Sequence, residues 1–334
     1  MKSIGIGDLA RSTLMKSRVG SVKFQTVRLS GELASGKKSD IAAHLTGNLS
    51  GLAALEHARS LTGGFLSTAR DLSQRAEAMQ SVMGRISAAL DEVSGTFSAL
   101  GQNAGAEQFT RAAATASSAF GEALHLLNTQ VSGRSIFAGM ATSSPAVSDP
   151  EPILQTLRGL VSAAGSADQI ATIVSDWFEA PTGFAAQGYV GAAPAPAISV
   201  DAEGTNISEV TAYDPDLRKA LAALATAALI DAPGLSGAGP DRMGLRDKGL
   251  AVLREGTDAM TNLAAETGRR QQRLDQATSR HQAGALTLEL AVADLTSADP
   301  TRTAIELEAA QTQLETMYAV TARLSRLTLA QVLG

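Results

Sequence analysis

The sequence predicts a mainly α protein. Its expected shape is an elongated rod of long, coiled-coil-like helices drawn from both ends of the chain, with a small mixed α/β domain in the middle. Three observations carry this expectation. All ten prolines lie between Pro145 and Pro300. Proline removes a backbone donor and clashes with the preceding turn, so the proline-free ends can run as long helices. Apolar residues recur along those ends at alternating spacings of four and three, as a helix with one apolar seam requires. Aromatic residues make up only 4% of the 334 residues, so any core is built from small and aliphatic side chains.

The first seam is Met15, Val19, Val22, Thr26, Leu29, Leu33. The longest runs through Leu72, Ala76, Met79, Met83, Ile86, Leu90, Val93, Phe97 and Leu100. A helix from Phe65 to Leu100 is roughly 50 Å long at 1.5 Å per residue, against a radius of gyration near ~20 Å for a compact globule of this length. After a Gly-rich break at Gly101–Gly105, another seam follows in Phe109, Ala113, Ala116, Phe120, Ala123, Leu127.

The middle, 141–240, reads differently. Ile153–Ala164 and Gln169–Phe178 look like short helices, the first preceded by Asp149-Pro-Glu-Pro, where acids suit a helix N-terminus. Between Pro181 and Tyr213, Gly, Pro and alternating apolar residues (Ile198, Val200; Ile207, Val210) predict short strands with turns. Asp214 starts a further helix through Ile230, and Pro233–Pro240 forms a Gly-rich loop. The seam then resumes in Leu274, Ala277, His281, Gly284, Leu288, Ala291, Leu295, and ends in Leu307, Ala310, Leu314, Met317, Thr321, Leu324. The expected domains are a terminal helical layer (1–45 with 298–334), a helical rod (46–140 with 241–297) and a variable outer α+β domain (141–240).

Net charge is −5, but unevenly spread: 1–38 holds eight bases and two acids, 141–240 three bases and eleven acids. The absence of Cys excludes disulfides, thiolate metal sites and a Cys nucleophile. The N-terminus has no apolar h-region, so no cleaved signal is expected. The longest apolar run, Ala220–Ile230, is too short to span a bilayer.

Nothing reads as an active site. His44, His57, His125 and His281 are scattered, none at the i,i+4 spacing of a helical metal pair. Gly5-Ile-Gly7 lacks a third glycine and a preceding strand, and Gly234-x-x-Gly237-x-Gly239 follows a helix, as a flexible loop does. Asp201 and Glu203 are expected to be solvent-exposed acids rather than a catalytic pair. Asn48-Leu-Ser50 and Asn206-Ile-Ser208 match a glycosylation pattern short enough to arise by chance. The basic arm has one aromatic (Phe24) and no clustered Arg, so nucleic acid is not an expected partner. No metal, no cofactor and no enzymatic activity are expected.

Several stretches carry a family likeness. Asn128-Thr-Gln-Val-Ser-Gly-Arg-Ser-Ile-Phe-Ala-Gly139, which closes the Phe109–Leu127 helix, resembles the Asn…Gly-Arg-x-Leu-Phe-x-Gly stretch of the flagellin family, most closely its hook–filament junction type (hook-associated protein type 3). Asn128, Gly133, Arg134, Phe137 and Gly139 are the matching positions. The tail from Gln313 to Leu333 resembles that family's terminal helix, with Asp294 and Asp299 where it commonly has acids. Leu33-Ala-Ser-Gly-Lys-Lys38 is similar to the Leu-x-Ser/Thr-Gly-Lys/Arg segment after its first helix. The family usually continues with a longer loop containing Asp-Asp-Pro or Asp-Asp-Ala; here Ser39-Asp-Ile-Ala-Ala43 is shorter and keeps one acid.

The resemblance implies a structural, self-assembling protein of the bacterial flagellum, exported through the flagellar secretion channel without a cleaved signal and located outside the cell. It implies an adaptor at the hook–filament junction, with the filament subunit flagellin as the alternative and a coiled-coil signalling protein a more distant one. Partners would be copies of itself, neighbouring hook-associated and filament subunits, and an export chaperone. The terminal helices would pair into a layer lining a tube, the middle projecting outward. The expected assembly interface is Met15, Val19, Val22, Leu29 and Leu33 against Leu307, Leu314, Met317, Leu324, Leu327, Leu329 and Leu333. Burying one Leu contributes about 1.5–3 kcal/mol, against ~0–1 kcal/mol for a surface ion pair. Because the seams are Ala-rich, the isolated subunit is expected to leave its ends frayed until assembly.

Overall fold

A computed structural model describes residues 6–231 and 241–333, with side chains described except at 6–9, 11, 12, 241, 242 and 324–333. Nine α-helices account for most of these described residues: α1 (Ile6–Ser35), α2 (Ile41–His44), α3 (Ser50–Ser98), α4 (Ala106–Leu127), α5 (Pro150–Val161), α6 (Ala167–Glu179), α7 (Pro215–Ala228), α8 (Asp241–Thr296) and α9 (Pro300–Leu333). Two antiparallel hairpins, β1 (Gln130–Val131) with β2 (Arg134–Ser135) and β3 (Ile198–Ser199) with β4 (Asn206–Ile207), complete the fold with one π turn, Phe184–Gly188. The chain is mainly α. It divides into two compact units, one from Met1–Thr62 with Ala283–Gly334 and the other from Gly63–Gln282.

The long helices form where proline is absent. α3 has 49 residues and α8 has 56, roughly 74 and 84 Å of helix. α3 starts well before Phe65, because Asn48 Oδ1 accepts from the Ser50 backbone N–H (3.3 Å) and hydroxyl (2.7 Å) and so anchors its first turn. The expected short helices are present as α5, α6 and α7, with Pro in the first turn of α5 and α7, where no backbone donor is needed. Pro233–Pro240, the expected loop, lies outside the described residues.

In the Gly63–Gln282 unit most of the core is one large cluster. The α3 seam, Met79 to Leu100, packs with the buried face of α4, and α7 sits among them. Every residue from Ala220 to Ile230 is buried, as befits a helix apolar on all sides. The apolar run that was too short for a bilayer is therefore the central core helix. α8 closes against α3 and α7 at two glycines one heptad apart: a Cβ on Gly249 would lie 2.8 Å from the Phe97 ring, and one on Gly256 2.8 Å from Ala223 Cβ. Backbone approaches this near leave no room for a side chain.

The β3–β4 hairpin belongs to the same unit and makes a second, smaller cluster. Val200 and Ile207 pack with Ala69, Leu72 and Ala76 of α3 and with Leu274 and Ala277 of α8. This corrects the expectation for Asp201, which is 3% exposed. Its carboxylate accepts from Thr205 N–H (2.7 Å) and pairs with Arg280 (3.2 Å), so the hairpin turn and α8 satisfy it. Hydrogen bonds from Thr205, more than the nearby Arg280, hold its carboxyl below the usual carboxylate range. Glu203 is exposed as expected. His281 places Nε2 2.6 Å from the Val200 carbonyl and stacks on Phe65 at 5.6 Å, so it serves the hairpin rather than a metal.

Candidate assembly interface

The terminal helices meet in the first unit. α1 ends, and α9 begins, at a two-stranded contact: Lys37 bridges Ser297, Lys38 N–H donates to the Thr296 carbonyl (2.9 Å), and Ala298 N–H to that of Gly36 (2.9 Å). α1 and α9 pack together from that contact onward, so they run antiparallel. α1 stops because Gly36, at φ 68°, takes the left-handed conformation that closes a helix, its N–H bonded to the Glu32 carbonyl at 2.9 Å.

Val22 (5% exposed) and Leu29 (1%) are buried on α1, and Ala310 and Thr303 on α9. Met15 and Val19, and Leu307, Leu314 and Met317, are half-buried along the same seams. On both helices these positions are buried or half-buried as far as Met317. Leu33 departs from this pattern: it is 38% exposed, and its neighbour Glu32 is the buried residue. The side chains of Leu324, Leu327, Leu329 and Leu333 lie outside the described residues.

Glu32 is the one feature at this joint that the hydrophobic pattern does not announce. Its carboxylate, 2% exposed, pairs with Lys38 Nζ at 3.0 Å and accepts from Ser39 N–H at 3.2 Å. Burial by itself would raise its pKa. The Lys38 and Ser39 hydrogen bonds, with the charges of Lys38 and Arg28, outweigh burial and hold the carboxyl below its ordinary value. The joint is therefore locked by a charged side chain reaching back from the last turn of α1. An acid six residues before a Lys, with a glycine between them, was the available signal.

The Asn128–Gly139 stretch lies in the other unit and does structural work there. Asn128 Oδ1 accepts from Ala146 N–H (2.8 Å) and Val147 N–H (3.0 Å), while Nδ2 donates to the Val147 carbonyl (3.0 Å). One amide thus holds both ends of the excursion that contains β1 and β2. Ser132 and Gly133 both take positive φ (52° and 74°), as a two-residue hairpin turn requires. Arg134 is exposed on β2 and makes no ion pair among the described residues. Phe137 is fully buried, and its carbonyl accepts from Ala212 N–H at 2.9 Å. Gly139 has φ 61°, and a Cβ there would come within 2.5 Å of the Ala192 and Ala193 carbonyl oxygens. Four of the five motif positions therefore have a structural reason, and Arg134 has none among the described residues.

Among the described residues no group of three or more His, Asp or Glu side chains is placed to hold a metal ion, and no helix is long and apolar enough to cross a membrane.

Residues 250–333, covering most of α8 and all of α9, match the family model for the bacterial flagellin C-terminal helical region. No curated protein matches the chain. Solved structures do, among them a Vibrio parahaemolyticus structure described as that of a flagellar hook-associated protein. It aligns with TM-score 0.50 and 15% identity over 73% of this chain and 95% of that one, a likeness of fold. Residues 250–333 are therefore similar to the flagellin C-terminal helical region, and their last helix, α9, pairs with α1 in a mainly α fold.

Proposed function

We propose that this protein is a structural, self-assembling component of the bacterial flagellum that acts as an adaptor at the hook–filament junction. The carrying observation is the antiparallel pairing of α1 with α9, the helix that ends the stretch matching the flagellin C-terminal helical region. In this reading the chain is exported through the flagellar channel, and an export chaperone masks its tail on the way. The terminal layer (1–45 with 298–334) assembles with copies of itself, the helical segments 46–140 with 241–297 surround that layer, and 141–240 faces outward. Its work is packing, and no catalytic step is assigned to it. The Gly133-Arg-Ser-Ile-Phe-Ala-Gly139 stretch and the fold likeness to a hook-associated protein favour the junction over the filament.

The family-model match supports a second reading, flagellin itself, because it covers the C-terminal helical region of flagellins. Immunogold labelling of isolated flagella separates the two. A single band at the distal end of the hook is expected; label along the whole filament would replace the adaptor with the filament subunit.

A further inference from the structure

The side of α1 turned away from α9 carries a second stripe. Gly20, Phe24, Val27 and Gly31 follow each other at spacings of four, three and four, so they share one helix face. Phe24 is 74% exposed and Val27 65%, and a Cβ on Gly20 or Gly31 would meet nothing within 4 Å. From Thr13 to Gly31 the only charged residues are Lys16, Arg18, Lys23 and Arg28, all exposed and none in an ion pair among the described residues. An apolar ridge with open glycine notches and a basic border is left unpartnered among the described residues.

A matching face exists in the same unit. On the last part of α8, Ala283, Leu286, Leu290 and Ala293 repeat at three, four and three, with Leu286 58% and Leu290 62% exposed. Glu289 and Asp294 stand on either side of this stripe, exposed and without an ion pair among the described residues. From Gln282 to Thr301 there is no Lys or Arg at all. Two helix faces of one molecule thus have the same apolar period and opposite, unspent charge.

We infer that the Phe24–Val27 face of α1 docks on the Leu286–Leu290 face of α8 in a second copy of this chain. The occupant is argued from charge: a second α1 would set Lys16 and Lys23 against like charges, whereas the α8 stripe offers only carboxylates. Such a contact joins two different patches, so it propagates from copy to copy and closes into a ring or continues as a helical tube. The inference rests on the assembly reading above and names the surfaces that assembly uses.

The cysteine-free sequence makes the test clean. Cells carry Phe24→Cys with Leu290→Cys, their flagella are isolated and oxidised, and the protein is run on a non-reducing denaturing gel. The replaced side chains are exposed, so folding is retained, which circular dichroism checks. The expected result is a reductant-sensitive ladder of dimers and larger multimers from the double variant and only monomer from each single variant. Protein present in flagella but monomeric for every pairing of Phe24 or Val27 with Leu286 or Leu290 overturns the docking and leaves the assembly reading intact. Dimers from Phe24→Cys alone also overturn it, by showing α1 against α1. Absence of the protein from flagella overturns the assembly reading and this inference with it.

Discussion

Replacing Asn128 by Ala removes three hydrogen bonds with one side chain. The N–H groups of Ala146 and Val147 lose their acceptor, and the Val147 carbonyl loses a donor. A buried backbone group left unsatisfied costs about 1–3 kcal/mol. Ala146 and Val147 are buried and Asn128 half-buried, so water replaces part of what is lost. A total of roughly 2–4 kcal/mol follows. The only tryptophan, Trp177, is 7% exposed within the Gly63–Gln282 unit, so its fluorescence during urea unfolding reports that unit alone, where a single transition is a fair description.

Asn128→Asp sharpens the test. The carboxylate still accepts from both N–H groups, but its second oxygen replaces the donor 3.0 Å from the Val147 carbonyl. The two N–H bonds alone would lower the pKa of the new acid. The Val147 repulsion and half-burial oppose them and, on the three-bond account, prevail, raising the folded-state pKa above its unfolded value of about 3.9. The penalty is then full at neutral pH. It shrinks as pH falls through the folded pKa, when the protonated acid again donates to Val147. Relative to wild type at the same pH, Asn128→Asp should recover on acidification and Asn128→Ala should not. Unfolding midpoints within error of wild type for Asn128→Ala, or the same pH response from both variants, would refute the three-bond account.

Three further outcomes are expected. Gly256→Ala forces a Cβ to within 2.8 Å of Ala223 Cβ, and overpacking of this kind costs about 1–3 kcal/mol; the same Trp177 unfolding curve reads it, whereas Gly244→Ala, where a Cβ meets nothing within 4 Å, should be neutral or slightly stabilising. Glu32 has a lowered folded pKa, so its contribution is present above its unfolded pKa and is lost as pH falls through the folded one; hydrogen-exchange protection at 36–40 and 296–300 should therefore be lost in wild type as pH falls below the ordinary carboxylate range and be already reduced at neutral pH in Glu32→Gln. Leu29→Asp puts an unpaired carboxylate where Leu29 is 1% exposed, a cost of several kcal/mol (roughly 3–5), and should abolish incorporation into flagella, whereas exposed Ser30→Asp should not.

The seams were legible because a four-three repeat survives any tertiary context that buries one face. Met15 to Leu29, Leu72 to Leu100 and Phe109 to Leu127 therefore read directly off the sequence, as did the strands at Ile198 and Ile207. α7 shows the reverse case. It is buried on every side, so Ala220–Ile230 has no period to read, and its place at the centre of the core comes only from what surrounds it. Asp201 looked like a solvated acid because its partners, Thr205 and Arg280, are joined to it by a turn and by a helix 79 residues away. Glu32 sat on the flank of a hydrophobic seam, and nothing in a hydrophobic count says that a flank residue will be the buried one. Asn128, Phe137 and Gly139 could be singled out by resemblance, but their hydrogen bonds and close approaches depend on Ala146, Val147 and Ala192, which the resemblance does not include.

The account depends most on α1 and α9 completing their packing only among other copies, and hydrogen exchange measured on the free subunit and on intact flagella tests this directly. The account predicts that α1 and α9 amides exchange readily in the free subunit, fastest away from the Lys37–Ser297 joint, and become strongly protected in flagella, while Gly63–Gln282 changes little. Equal, strong protection of both terminal helices in the free subunit and in flagella would contradict it.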